Sequence, residues 1–196
     1  MKPIYRLCLA ALAAYSGNAA AEPLSCHDSP RYFIVVRTAE NDMGSDFLVK
    51  YKSAPDERLP CEFKAKRGDL QIPNEFAEYF DGVRGDLLLL DSGTGPEREM
   101  VIWDLKKREK KGRFSIGEGP APAGARFAVP ADPKAEPGYM EFWMETDQAT
   151  PENCPEGKAW EADGLGLASV IETWVRLDLS NLKVAKSDKT HCRPRQ

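Results

Sequence analysis

The sequence predicts an all-β domain, mainly antiparallel and tied by disulfides. Three observations carry that class. Apolar residues recur with period two in most candidate segments. Clusters of Gly, Asn, Asp and Pro separate those segments. Four cysteines (Cys26, Cys61, Cys154 and Cys192) remain once a leader is set aside. The arrangement expected is a sandwich or an open barrel, with room for one short helix.

Residues 1–21 read as a cleaved signal peptide. Lys2 and Arg6 give a positive start, and Leu7 to Tyr15 is an apolar run of nine residues. Ser16-Gly17-Asn18 breaks it, and Ala19-Ala20-Ala21 has the small-x-small pattern of a cleavage site. The run is shorter than the roughly 20 residues that span a bilayer. Cys8 follows Arg6-Leu7 rather than small residues, unlike a lipoprotein cysteine. The mature chain is therefore expected to begin at Glu22, in the periplasm or outside the cell, with no membrane insertion.

Cleavage would leave 175 of the 196 residues, enough for a single mainly-β domain over 22–196. Without Lys2 and Arg6, 25 basic residues face 31 acidic ones, a net charge of about −6. That balance speaks against nucleic acid, whose binding needs a basic face. It speaks equally against an anionic membrane surface. The run Lys106-Lys107-Arg108-Glu109-Lys110-Lys111 reads as a solvated hairpin tip.

Four cysteines in an exported chain read as two disulfides, for which three pairings exist. Spacing favours Cys26–Cys61 and Cys154–Cys192, because each pair brackets one block of strand-like sequence. Loops of that length would contribute roughly 3–4 kcal/mol each in the chain-entropy view.

The elements follow in order. Tyr32 to Arg37 and Asp46 to Lys52 alternate as strands, and the turn-rich 40–45 between them makes a hairpin. Cys61 to Lys66 is a weaker third strand, with Phe63 and Ala65 on one face. Asn74 to Tyr79 fits a helical turn capped by Asn74, or a strand. Leu87-Leu88-Leu89-Leu90 is a continuous apolar run bounded by turns, the pattern of a strand buried on both faces. Met100 to Leu105 and Arg113 to Ile116 continue the pattern. Residues 117–138 form a loop with five prolines and four glycines. Tyr139 to Glu145 is a strand, and 151–157 is a loop. Val170 to Leu179 and Leu182 to Ala185 make a last hairpin around Ser180-Asn181. A helix over 167–177 competes, but the β-branched Val170, Ile171, Thr173 and Val175 favour strand.

Two stretches resemble known patterns. Gly85 to Ile116 is similar to one blade of a β-propeller: apolar strand, Asp-Ser-Gly turn, strand ending Trp-Asp-Leu, basic turn, strand. Leu88-Leu89-Leu90-Asp91-Ser92-Gly93-Thr94-Gly95 resembles the catalytic loop of aspartic proteases. That resemblance implies a hydrolase in which Asp91 shares a proton with a second carboxylate. The chain has one such loop, so a homodimer would have to complete the pair. The same residues also make an ordinary β-turn.

Other chemistry has little purchase. His27 and His191 are the only histidines, and each adjoins a cysteine. Neighbouring residues point to opposite sides, so Cys26-His27 and His191-Cys192 suit a zinc site poorly, and no metal is expected. No Cys-x-x-Cys, P-loop or dinucleotide glycine pattern is present, and no cofactor is expected.

The strand Tyr139 to Glu145 is the candidate ligand face. Met140, Phe142 and Met144 share the core side, which leaves Tyr139, Glu141, Trp143 and Glu145 on the other. Aromatics between carboxylates suit a cationic or sugar-like ligand. Trp174, with Glu172 and Arg176, would extend this face; alternatively Trp143 and Trp174 cover a second packed layer. Glu141 and Glu145, about 13 Å apart at strand rise, are too distant for a glycosidase pair. The function expected is a non-catalytic binding or inhibitory module acting on another envelope protein or glycan. The hydrolase using Asp91 is the alternative.

Overall fold

The structure, a computed structural model, describes residues 24–39, 43–95, 97–117, 138–162 and 168–195. The expected signal peptide at 1–21 and the interior of the loop at 117–138 lie outside the described residues.

Three antiparallel sheets follow one another along the chain. The first holds β1 (Leu24–Asp28), β2 (Tyr32–Thr38), β3 (Ser45–Tyr51) and β4 (Leu70–Ile72). The second holds β5 (Glu78–Arg84), β6 (Leu87–Ser92), β7 (Arg98–Asp104) and β8 (Glu109–Ile116). The third holds β9 (Tyr139–Gln148), β10 (Ala168–Asp178) and β11 (Val184–Arg195), and a short helix α1 (Gly157–Ala162) precedes β10. Within each sheet sequential strands are neighbours, so each is an open meander. The all-β, disulfide-tied class therefore holds, with three sheets and one short helix among the described residues.

The second sheet is the middle layer. Leu88, Leu90 and Val101 join Ile34, Val36, Phe47 and Val49 of the first sheet in one core cluster. Leu87, Leu89, Met100 and Ile102 join Met140, Phe142, Val175 and Leu177 of the third sheet in another. Successive side chains on a strand point to opposite faces. That is why β6 carries four leucines in a row: two serve each core. Burial of a leucine is favourable by roughly 1.5–3 kcal/mol.

Both disulfides take the pairing that the spacing favours. The Cα atoms of Cys26 and Cys61 stand 5.9 Å apart, and those of Cys154 and Cys192 5.7 Å. Among the described residues no helix is long and apolar enough to cross a membrane.

Several local expectations change. Residues 61–66 form no strand. The edge of β3 that they would extend is taken by β4. Instead the segment is pinned by its disulfide, by Arg37 stacked 4.3 Å from the Phe63 ring, and by Lys50 Nζ donating to the Pro60 carbonyl at 2.8 Å. Polar β1 was not anticipated; it pairs with β2 and is stapled by Cys26. Residues 74–77 make neither helix nor strand, and Ala77 turns the chain with φ +55°. Asn74 Oδ1 accepts from Glu78 N–H (3.0 Å), while Glu78 Oε2 accepts from the N–H groups of Glu75 (2.7 Å) and Phe76 (2.8 Å). This reciprocal arrangement resembles a capping box without its helix. The strand favoured over a helix near 170–179 is present as β10, which begins at Ala168, and the short helix sits earlier, at 157–162. The basic run is only half a tip, since the turn spans 105–108 and Glu109 already opens β8.

Candidate functional site

A cleft of about 440 Å³ opens at one end of the second sheet. Three pieces of chain meet there: the 73–77 loop between β4 and β5, the turn between β6 and β7, and β9 of the third sheet. Phe76 from the first piece, Gly93 and Glu97 from the second and Glu145 from the third line the opening. The strand ends contribute Arg98, Glu99, Arg113 and the hydroxyls of Ser92 and Ser115.

The turn explains the local sequence. Gly93 has φ +106°, and a Cβ there would stand 2.7 Å from the Glu97 carbonyl oxygen. Only glycine fits both demands. Gly93 N–H donates to the carbonyls of Phe76 and Ala77, each at 3.2 Å, and Ser92 Oγ donates to the Phe76 carbonyl at 3.2 Å. The Asp-Ser-Gly segment is thus the anchor of the loop that carries Phe76. The Phe76 ring itself is 61% exposed at the rim.

Two arginines form the charged wall, and each is held by carboxylates. Arg98 Nε donates to Asp91 Oδ1 at 2.9 Å and its Nη2 to Asp91 Oδ2. Arg113 Nη1 donates to Glu99, its Nη2 lies 3.6 Å from buried Glu78, and its guanidinium stacks 4.8 Å from the Phe76 ring. Charge-assisted, forked pairs of this kind fix a guanidinium in place. Beside them, Lys110 Nζ meets Glu75 at 2.6 Å, and this bond holds the Glu75 carboxyl below the usual carboxylate range.

Asp91 therefore stands behind the cleft. Both of its oxygens accept from Arg98, in a strand position opposite Met100. The four residues of the expected ligand face alternate along one face of β9, and β10 extends it, with Arg176, Trp174 and Glu172 opposite Glu141, Trp143 and Glu145. Arg176 reaches across from β10, with Nε and Nη2 at 2.8 and 2.7 Å from Glu141 Oε1 and its plane 4.2 Å from the Tyr139 ring. Trp143 is half-buried, edge-on to Trp174 at 5.5 Å, with the His191 ring 6.0 Å away. Trp174 is only 7% exposed. Glu145 alone of the four reaches the cleft.

Phe76, Glu97, Arg98, Glu99 and Arg113 were not singled out from the sequence. A signal for Arg98 existed. In a hairpin, Asp91 opposite Met100 puts Arg98, two residues before Met100, on the same face as Asp91. Phe76 carried none, because its exposure depends on how 74–77 folds.

Chemically, the site offers fixed hydrogen-bonding edges beside an open aromatic ring. Ser92 spends its hydroxyl proton on a backbone carbonyl. His27 lies in β1, stacked 3.7 Å from Phe80, and His191 lies in β11. Their cysteine neighbours are bonded in disulfides. Among the described residues no group of three or more His, Cys, Asp or Glu side chains is placed to hold a metal ion. Comparison with protein-family models, with curated proteins and with solved structures finds no match to this chain.

Proposed function

We propose that the protein is a non-catalytic binding or inhibitory module of the cell envelope, acting in the periplasm or outside the cell. Its ligand is a segment of another envelope protein or a glycan, seated between Phe76 and Glu145. The observation that carries this reading is the wall of the cleft. Arg98 and Arg113 are held in place by Asp91 and Glu99, beside a ring that is 61% exposed. Such an array recognises polar ligands at small entropic cost, because its donors are ordered before binding. Phe76 supplies the apolar contact that anchors typically provide. Two disulfides fit an oxidising compartment.

The test is retention of envelope components by the exported protein. Phe76→Ala is expected to weaken retention by about 2 kcal/mol, and Glu145→Gln to weaken it less. Far-ultraviolet circular dichroism should stay unchanged in both. Retention equal to wild type in both variants would remove the cleft as the binding site.

A further inference from the structure

At the end of β7 away from the cleft, two turns meet. One is Lys66-Arg67-Gly68, which leads into β4; the other is Leu105-Lys106-Lys107-Arg108, between β7 and β8. They are about 40 residues apart in sequence. Arg108 joins them: its Nη2 donates to the Gly68 carbonyl, and its guanidinium stacks 4.5 Å from the Tyr51 ring. Tyr51 Oη in turn donates to the Leu105 carbonyl at 2.7 Å.

Arg108 adopts φ +62°, a conformation that Gly or Asn reach more cheaply. An arginine held there against its preference marks a position where the side chain matters. Lys66, Arg67, Lys106 and Lys107 are exposed, and their side chains make no hydrogen bond or ion pair among the described residues. Two carboxylates of the same turns accept from backbone: Asp69 from Lys66 N–H at 2.8 Å, and Asp104 from Lys107 N–H at 2.9 Å.

We infer that this two-turn basic tip is a docking surface for an anionic lipid bilayer. The chain as a whole is acidic, but the fold concentrates cations that are unpaired among the described residues at one end. Among the described residues these turns present no exposed aromatic ring, which suits a plane of phosphate headgroups better than a single polyanionic strand, which relies on stacking rings. Among the described residues the exposed large apolar side chains are Met43, Phe76 and Tyr79, none of them in these turns, so contact is electrostatic and does not insert. β7 has seven residues, so the tip and the cleft lie about 20 Å apart along the strand. Docking by the tip would turn the cleft away from the membrane, toward its ligand.

The experiment is vesicle co-sedimentation of the exported, oxidised protein at low and high salt. One set of vesicles is phosphatidylcholine; the other contains roughly one-third phosphatidylglycerol. Wild type is expected to sediment only with the anionic vesicles and to be released by salt. Lys106→Gln with Lys107→Gln, and Lys66→Gln with Arg67→Gln, should each lower the partition coefficient roughly 10- to 30-fold. Lys158→Gln with Lys189→Gln makes the same charge change elsewhere and should leave it near wild type. Equal binding to both vesicle types, no binding at low salt, or tip variants that bind like wild type would overturn the inference. Tip-dependent retention on a sulfated polysaccharide column without vesicle binding would also overturn it, in favour of a polyanionic chain.

Discussion

Gly117 lies against the carboxyl group of Glu172. A Cβ on Gly117 would stand 2.5 Å from both Cδ and Oε2 of Glu172, and 2.8 Å from Cβ of Trp143. Gly117 N–H donates to the Trp143 carbonyl at 2.6 Å. The end of β8 is thereby fixed to β9, and with it the walls that Ser115 and Glu145 give the cleft. Glu172 is 0% exposed and bonded to Arg193, so it has nowhere to retreat. Gly117→Ala should therefore destabilise by about 2 kcal/mol through overpacking. Urea unfolding would read this as a lower midpoint at constant slope, and an unchanged midpoint would show that the contact has slack.

The Glu172–Arg193 pair is buried on both sides. Removing one partner strands the other charge, so Arg193→Met should cost about 3–5 kcal/mol. Replacing both, with Glu172→Leu and Arg193→Met, should restore much of that loss. Additive losses in this double-mutant cycle would mean the two residues act independently.

Stability should fall with acid in two stages. Burial against Phe80 lowers the pKa of His27 from its ordinary 6.5. The unfolded chain then binds more protons between the two values, so stability drops as pH falls below 6.5. Burial raises the pKa of Asp46, but bonds from Arg37 and Asn74 outweigh it and leave the value below the ordinary 3.8. The stability Asp46 contributes is present above that ordinary value and is lost as pH falls below it. His27→Phe should flatten the upper stage and leave the lower one. Parallel wild-type and variant curves across the upper window would refute this assignment.

Asp91→Asn tests the charged wall. It removes a forked, part-buried pair with Arg98, and should cost about 1–2 kcal/mol of stability. Ligand retention should fall, but by less than with Phe76→Ala, because Asp91 orders Arg98 without itself lining the cleft. A peptidase activity with an acid optimum, abolished by this change, would instead favour the hydrolase.

Much of the fold was legible because its signals are local. The four leucines of β6 announced burial on both faces, and the hairpin Tyr32 to Lys52 followed from alternation and a turn. The bracketing cysteines gave both disulfides. What escaped depends on tertiary partners. Strand β1 is polar and exists because β2 and Cys61 hold it, while residues 61–66 alternate like a strand but β4 takes the edge of β3 in their place. At the site, Glu145 was legible as an outward residue on its strand. Tyr139 and Glu141 were not separable from it, because Arg176 comes from another strand to take both. Phe76 escaped because its exposure is set by Glu78 and Gly93, which hold its loop through backbone bonds.

The most direct test of the central claim is photo-crosslinking in living cells, with benzoylphenylalanine at position 76 of the full chain. A ligand seated against that ring should give one discrete adduct, diminished by Glu145→Gln. The same probe at exposed Lys189, on the third sheet, should give none. Absence of an adduct at position 76, or the same pattern of adducts from both positions, would contradict the account.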